Sequence, residues 1–373
     1  MPHPPQTGPS RRRVLAGAGA GAAALTLGPV AALGADRIAA AGLVLRRELV
    51  TDRLEEPVAL GFLPRGAVII AERRGIAELR PGERVARLSG VPRGFRGRGG
   101  GIRALHVPGD IARQRFIQLA YVDEFALSQA RLRLSRLAYD RFSGQLSEER
   151  PVWTEDPAMS VAKRISGALA GAGDGTLFLA LGDRGERDQA PDPTLAPGKI
   201  YRLREDGGAA LINPLLGDAS QPGIWSFGHA NPVALALRPT DASLWCLDSD
   251  GDTAWLTRVL AGLRHTLPAE AELEPEEDAL PFVRPSYVWE DRLRPGAMRF
   301  VVGGLFEAWQ GQLLIAGRRG LRLVSLRGDQ VTGETAVPGD FGRITDLGFA
   351  PDGALWLLAS QRRAGLLWRL API

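Results

Sequence analysis

The chain has 373 residues, 45% of them hydrophobic and 24% charged, with 46 Gly, 27 Pro and a single Cys. This is globular material, long enough to bury a sizeable core, and it excludes a disordered or collagen-like chain. The net charge is +4, but Arg11, Arg12 and Arg13 supply three of those charges and residues 35–373 keep only +1, which excludes a cationic field for nucleic acid or an anionic membrane.

Residues 1–34 read as a targeting segment. SRRRVL at 10–15 fits the twin-arginine pattern, and an Ala/Gly-rich stretch broken by Pro29 follows. That stretch is too poor in large apolar residues for a comfortable membrane span. Ala32 and Gly34 place small residues before a cleavage point at Ala35, so no stable span is expected after processing; an uncleaved anchor is the other reading. Twin-arginine export carries folded proteins, so the expected location is the periplasm or the cell exterior. Cys246 is the lone cysteine, so no intramolecular disulfide forms even in an oxidising compartment.

Past residue 43 one theme recurs: an apolar strand, a Pro/Asp/Gly turn, a second apolar strand and a charged turn. LGFLPRGAVIIAER at 60–73 is the first copy, and LGFAPDGALWLLAS at 347–360 is nearly its twin. Between them lie 115–121 with 130–139, then 167–203, 234–260 and 309–326, with 105–110 expected to start the second unit. The turns 173–175 and 351–353 supply the positive φ that hairpins need. Runs apolar on both faces suit stacked blades, and twin ends suit a ring that closes on itself. The expected fold is all-β, a single six-bladed β-propeller over 35–373; a seven-bladed ring or an open solenoid are the alternatives. The acidic run 269–278 reads as a solvated loop or a lid. The Gly97–Gly101 run with Arg96, Arg98 and Arg103 reads as a mobile loop or an anion cradle.

Five collinear motifs carry a resemblance. They are EEPVALGFLP at 55–64, GDRGERD at 182–188, PGKI at 197–200, GHANP at 228–232, and GRITD at 342–346 before PDG. Together they resemble the soluble PQQ-dependent aldose sugar dehydrogenases, the glucose/sorbosone dehydrogenase family. Five matches in order are far more specific than any one of them. The resemblance implies PQQ lying over one mouth of the ring, with Ca²⁺ polarising its quinone. It also implies a histidine that takes the proton from the anomeric hydroxyl as hydride passes to the cofactor, a task suited to the pKa of imidazole.

The positions that resemblance points to are partly changed. The family's H-x-G-G-R-L stretch aligns with RISGAL, which puts Arg164 at the base position, and arginine cannot be deprotonated in a protein. The arginine of G-H-R-N-P is Ala230, and the second of R-x-R-D is Thr345; Asn231 and Arg343 remain as cofactor-binding candidates. PQQ carries three carboxylates, so each lost guanidinium removes about 1.5–3 kcal/mol of charged hydrogen bonding. Asp248, Asp250 and Asp252 stand where the family has its calcium segment. Alternating carboxylates suit a hard cation, or they are simply an acidic turn. Asp183 and Arg184 are expected to brace their turn as a pair, with a ligand role second. His229 either braces its turn or stands in for the missing base. No zinc spacing, H-E-x-x-H helix, P-loop or nucleophile elbow is present.

Two functions follow. One is an exported PQQ-dependent sugar dehydrogenase with a divergent site, acting on a small sugar. The other is a non-catalytic propeller that binds a ligand or a protein partner, since function lives in sites and not in folds. A metal-dependent lactonase-type propeller comes third, because it requires a well-formed carboxylate set.

Overall fold

The computed structural model describes residues 37–91, 100–126, 128–140, 142–160, 165–271, 281–362 and 364–373. The expected leader at 1–34, Arg164, most of the Gly97–Gly101 run with Arg96 and Arg98, and most of the acidic 269–278 segment lie outside the described residues. Among the described residues no helix is long and apolar enough to cross a membrane.

The strands form six sheets, antiparallel apart from two short parallel additions to one of them. Their innermost strands are Pro57–Phe62, Gly101–His106, Gly167–Gly171, Pro232–Leu237, Pro295–Phe300 and Arg343–Phe349. Each packs on the next, and the last packs on the first. This is an all-β propeller. Three inner strands begin on proline, which is tolerated as the first residue of a strand because no ladder N–H is needed there. The second sheet starts at Gly101 rather than within 105–110; Pro108 and Gly109 end that strand instead of opening it.

Each gap between neighbouring sheets is filled by its own apolar cluster. The runs of Leu, Ile and Val that bury both strand faces supply them, and Trp245, Trp309 and Phe306 are fully buried. The ring is closed by chain ends. Leu43–Leu54 pairs antiparallel with Ala364–Pro372, whose other edge pairs with Leu355–Gln361. The twin repeats therefore become neighbours in space, and the Asp346 carboxylate accepts the Leu60 N–H at 2.9 Å across the seam.

His106 ends the second inner strand, with its ring against the bare backbone of Gly171 in the next sheet; a Cβ on Gly171 would overlap that ring. Burial, with a smaller push from Arg299, lowers the imidazole pKa from 6.5 to about 4. The unfolded chain therefore binds the proton first as pH falls, so this group withdraws stability between pH 6.5 and about 4 and is neutral in effect above that window.

Two outcomes are expected. Leu45 on the closing strand is fully buried whereas Leu49 is 46% exposed. In denaturant unfolding, Leu45→Ala should cost about 2–5 kcal/mol and Leu49→Ala should stay within about 0.5 kcal/mol. His106→Gln should flatten the decline in stability on acidification below pH 6.5; an unchanged acid slope would contradict the neutral buried imidazole.

Candidate functional site

Strand register decides which loops share a rim. Pro232 pairs with Asp248, Pro295 with the sheet neighbour Gly317, and Arg343 with Ser360. The starts of the inner strands, and the turns after the second strand of each sheet, therefore lie at one mouth of the ring. Loops 182–198, 228–232 and 248–252 interlock there through backbone bonds. Asp183 N donates to Ala230 O at 2.7 Å, His229 N to Gly198 O at 3.1 Å and Ser249 N to Asn231 O at 3.2 Å. Gly182 makes the close approach possible, because a Cβ there would press on Ser166 Oγ and Ala230 O.

The Asp183–Arg184 pair expected from sequence does not form. Asp183 Oδ1 accepts the Gly185 N–H at 2.7 Å, closing its own turn. Arg184 instead points inward from a left-handed backbone (φ 62°) to Glu155 at 3.4 Å, both side chains fully buried. Glu155 also accepts the Leu132 N–H at 2.7 Å. Burial raises the Glu155 pKa and lowers that of Arg184, and the opposite charge works against both shifts. No sequence signal marks Glu155, because its partner lies 29 residues away in the neighbouring sheet.

His229 is buried. Its Nε2 is 2.9 Å from Ser226 Oγ, its Nδ1 is 3.4 Å from Asp248, and its ring stacks on His265 at 4.6 Å. Asp248 further accepts the Asn231 N–H at 2.7 Å and the Cys246 thiol at 3.3 Å. Burial first, and then Asp248, pushes the thiol pKa up. Burial first, and then His229, pushes His265 down. The cluster knits the Gly-His-Ala-Asn-Pro turn to the strand behind it, and both ring nitrogens of the buried His229 face protein partners.

The carboxylates of Asp248, Asp250 and Asp252 do not converge. Asp248 is taken by the cluster above, Asp250 pairs with Arg187, and Asp252 pairs with Arg292 at 3.1 Å and Arg294 at 2.8 Å. Their partners come from three different elements, so the alternation that suggested a cation loop serves to fasten loops together. Among the described residues, the grouping of three possible ligand side chains within 4.8 Å is His229, Cys246 and Asp248. Each of these already has a hydrogen-bond partner inside the cluster.

Asn231 is buried and its side-chain amide donates to Ser249 O at 2.9 Å. Thr345 hydroxyl donates to Leu358 O at 3.2 Å. Arg343 is exposed at the head of its inner strand, as are Arg318 and Arg319 in the adjoining turn, and none of the three makes a side-chain hydrogen bond or ion pair among the described residues. Ser166, which leads into Gly167–Gly171, has a buried hydroxyl with no hydrogen-bond partner among the described residues. Among the described residues the rim thus offers guanidinium forks and the Ser166 hydroxyl. Among the described residues it presents no exposed imidazole: His229 and His265 are buried, and His106 sits at the other end of its strand. Such a rim can bind and orient an anion, but its arginines cannot accept a proton.

Known proteins share this architecture. The family model "Glucose / Sorbosone dehydrogenase" matches residues 54–368. The aldose sugar dehydrogenase YliI of Escherichia coli (strain K12) is 28% identical over 360 residues, 89% of this chain and 94% of that protein. The apo-form crystal structure of the soluble E. coli aldose sugar dehydrogenase superposes with a TM-score of 0.77 at 26% identity, covering 88% of this chain and all (100%) of that one. The PQQ-bound aldose sugar dehydrogenase of Streptomyces coelicolor has the same fold, with a TM-score of 0.67 at 21% identity over 88% of this chain and 98% of that one. With its closed ring, its interlocked rim loops and a family match that spans nearly all of the propeller, this chain belongs to the glucose/sorbosone dehydrogenase family.

Proposed function

We infer that this protein is an exported PQQ-dependent oxidoreductase acting on a small sugar, with each of its six sheets serving as one blade of the ring. The observation that carries this reading is family membership over residues 54–368 together with a rim that offers unpaired arginines. PQQ is a tricarboxylate, so Arg343, Arg318 and Arg319 have the charge and fork geometry to hold it. The orphaned Ser166 hydroxyl, beside Gly182 and Asn231, is a further donor of the kind a polar ligand would satisfy. When bound, PQQ supplies the two-electron acceptor that no protein side chain provides. Calcium fits less well, because the carboxylates at 248, 250 and 252 are committed to protein donors. The twin-arginine leader at 1–34 supports export.

Turnover of an aldose requires a proton acceptor beside the anomeric hydroxyl. Position 164 is arginine and His229 is held in the Ser226–Asp248 cluster. These two observations favour a second reading, a propeller that keeps the rim as a binding surface for a ligand or protein partner without catalysis.

PQQ titration of the mature, metal-stripped protein, with and without Ca²⁺ and followed by absorbance and melting temperature, separates the two. Saturable binding weakened about tenfold by Arg343→Ala is expected. No spectral or thermal change at micromolar PQQ would retire the dehydrogenase reading. Arg164→His is expected to raise aldose turnover with an artificial acceptor by about a hundredfold or more, the usual contribution of a positioned base. Turnover that falls in this variant would mean that Arg164 serves the wild-type chemistry in another way.

A further inference from the structure

A second cavity lies away from the rim. It occupies the seam between the first two sheets at the opposite face of the ring, with a volume of about 570 Å³. Its location follows from register. Phe62 pairs with Val68 at the far end of the first inner strand, so the turn that joins them faces away from the mouth, as does the loop from 107 to 115.

The walls are apolar: Leu63, Ala67 and Ile111, with the Tyr139 ring and Phe142. Phe142 is 80% exposed, an unusual setting for a large aromatic ring. The acidic groups inside are mostly spoken for. Glu78 accepts the Tyr139 hydroxyl at 3.0 Å and Arg80 Nε at 2.9 Å. Asp140 accepts the Phe142 N–H at 2.9 Å and the Ser143 hydroxyl at 2.6 Å. Glu83 is exposed at the edge.

Two arginines are held only loosely, since Asp140 acts on Arg115 through space without reaching ion-pair distance. Arg65 from the first sheet and Arg115 from the second both line the cavity, are exposed, and make no side-chain hydrogen bond or ion pair among the described residues. Both also sit on left-handed backbone, Arg65 at φ 68° and Arg115 at φ 57°. Arg115 ends a short helix at the position where glycine is favoured. Arg65 occupies the turn position held by Asp352 in the twin repeat, and Asp352 has no left-handed φ. Turn chemistry alone would select Gly, Asn or Asp at such sites. Side chains kept in sparsely populated backbone regions cluster where function needs them.

We propose that this seam is a binding site for an amphipathic carboxylate, its chain lying against Leu63, Ile111 and Phe142 and its head group held by Arg65 and Arg115. Charge complementarity selects the head group, since the guanidinium forks are the unpaired donors and the neighbouring carboxylates Glu78 and Asp140 are satisfied within the protein. The wall selects an apolar body of modest length. The site is independent of whatever occupies the mouth.

The test is calorimetric titration of the full protein with decanoate and with its neutral analogue decanamide. Saturable decanoate binding below about 1 mM is expected, with decanamide weaker by about tenfold. Arg65→Gly and Arg115→Gly should each weaken decanoate by about tenfold while holding or raising the melting temperature, because glycine accepts the left-handed backbone without strain. Phe142→Ser should weaken both ligands, and Arg343→Ala should change neither. Absence of saturable decanoate binding, equal affinity for decanamide, or undiminished binding in the Arg65→Gly, Arg115→Gly double variant would each overturn the proposal.

Discussion

The strand Ala364–Pro372 lies between strands from both ends of the chain, and the whole rim depends on that arrangement. Without it the first and last repeats are edges of an open stack, with unpaired ladder groups facing water. With it, inner strands that are far apart in sequence become neighbours, and the loops at their heads face one another. The long span this bridges is a weak entropic obstacle, because each doubling of loop length adds only about 0.6 kcal/mol. Apolar burial on both sides of the closing sheet outweighs it, since Leu45, Leu367 and Leu370 are all fully buried. The Asp346–Leu60 bond fixes the register of the seam. Burial raises the Asp346 pKa, while Arg299 and the N–H groups of Leu60 and Leu347 favour its charged form.

Buried polar groups then hold the rim in one arrangement. Arg184 and Glu155 are an ion pair without solvent, and removal of either partner would leave a buried charge at a cost of about 3–5 kcal/mol. The same pair could be replaced by apolar side chains with little loss of stability, so its contribution lies in where it places the 182–198 loop. His229, Ser226 and Asp248 do comparable work for the next loop, each hydrogen bond satisfying a group that would otherwise be orphaned. A histidine and an aspartate that could have served chemistry are here committed to holding backbone.

Much of the propeller was legible in sequence because its signals are local. The twin segments at 60–73 and 347–360 announce a strand, a Pro-x-Gly turn and a second strand within fourteen residues, and period and turn chemistry agree. The family motifs are local too, which is why GHANP and GRITD could be matched in sequence before the register set them at the mouth. What stayed hidden depends on which distant side chain fills a gap. Asp248, Asp250 and Asp252 look like one constellation along the chain, yet the first belongs to the strand interior and the others meet Arg187, Arg292 and Arg294 from other loops. Arg184 looked paired with its neighbour and found Glu155 instead. Spacing in a turn reveals alternation, but not which charge from another blade will arrive to neutralise it.

One pattern joins the two faces of the ring. Among the described residues nine non-glycine positions have left-handed backbone, and six of them are arginine: Arg65, Arg115, Arg184, Arg292, Arg294 and Arg362. Arginine has no intrinsic advantage there, since its Cβ meets the same clash as any other L-residue, at about 1–2 kcal/mol. Glycine is abundant in this chain and occupies many equivalent turns without strain. Arginine at these sites therefore follows from what a guanidinium at a turn can reach. At the rim, Arg184, Arg292 and Arg294 reach carboxylates of neighbouring elements and tie the loops together. At the opposite seam, Arg65 and Arg115 carry the same backbone strain with no carboxylate at ion-pair distance among the described residues, Asp140 acting on Arg115 only through space. The proposed carboxylate ligand would supply at that seam the partner that neighbouring loops supply at the rim.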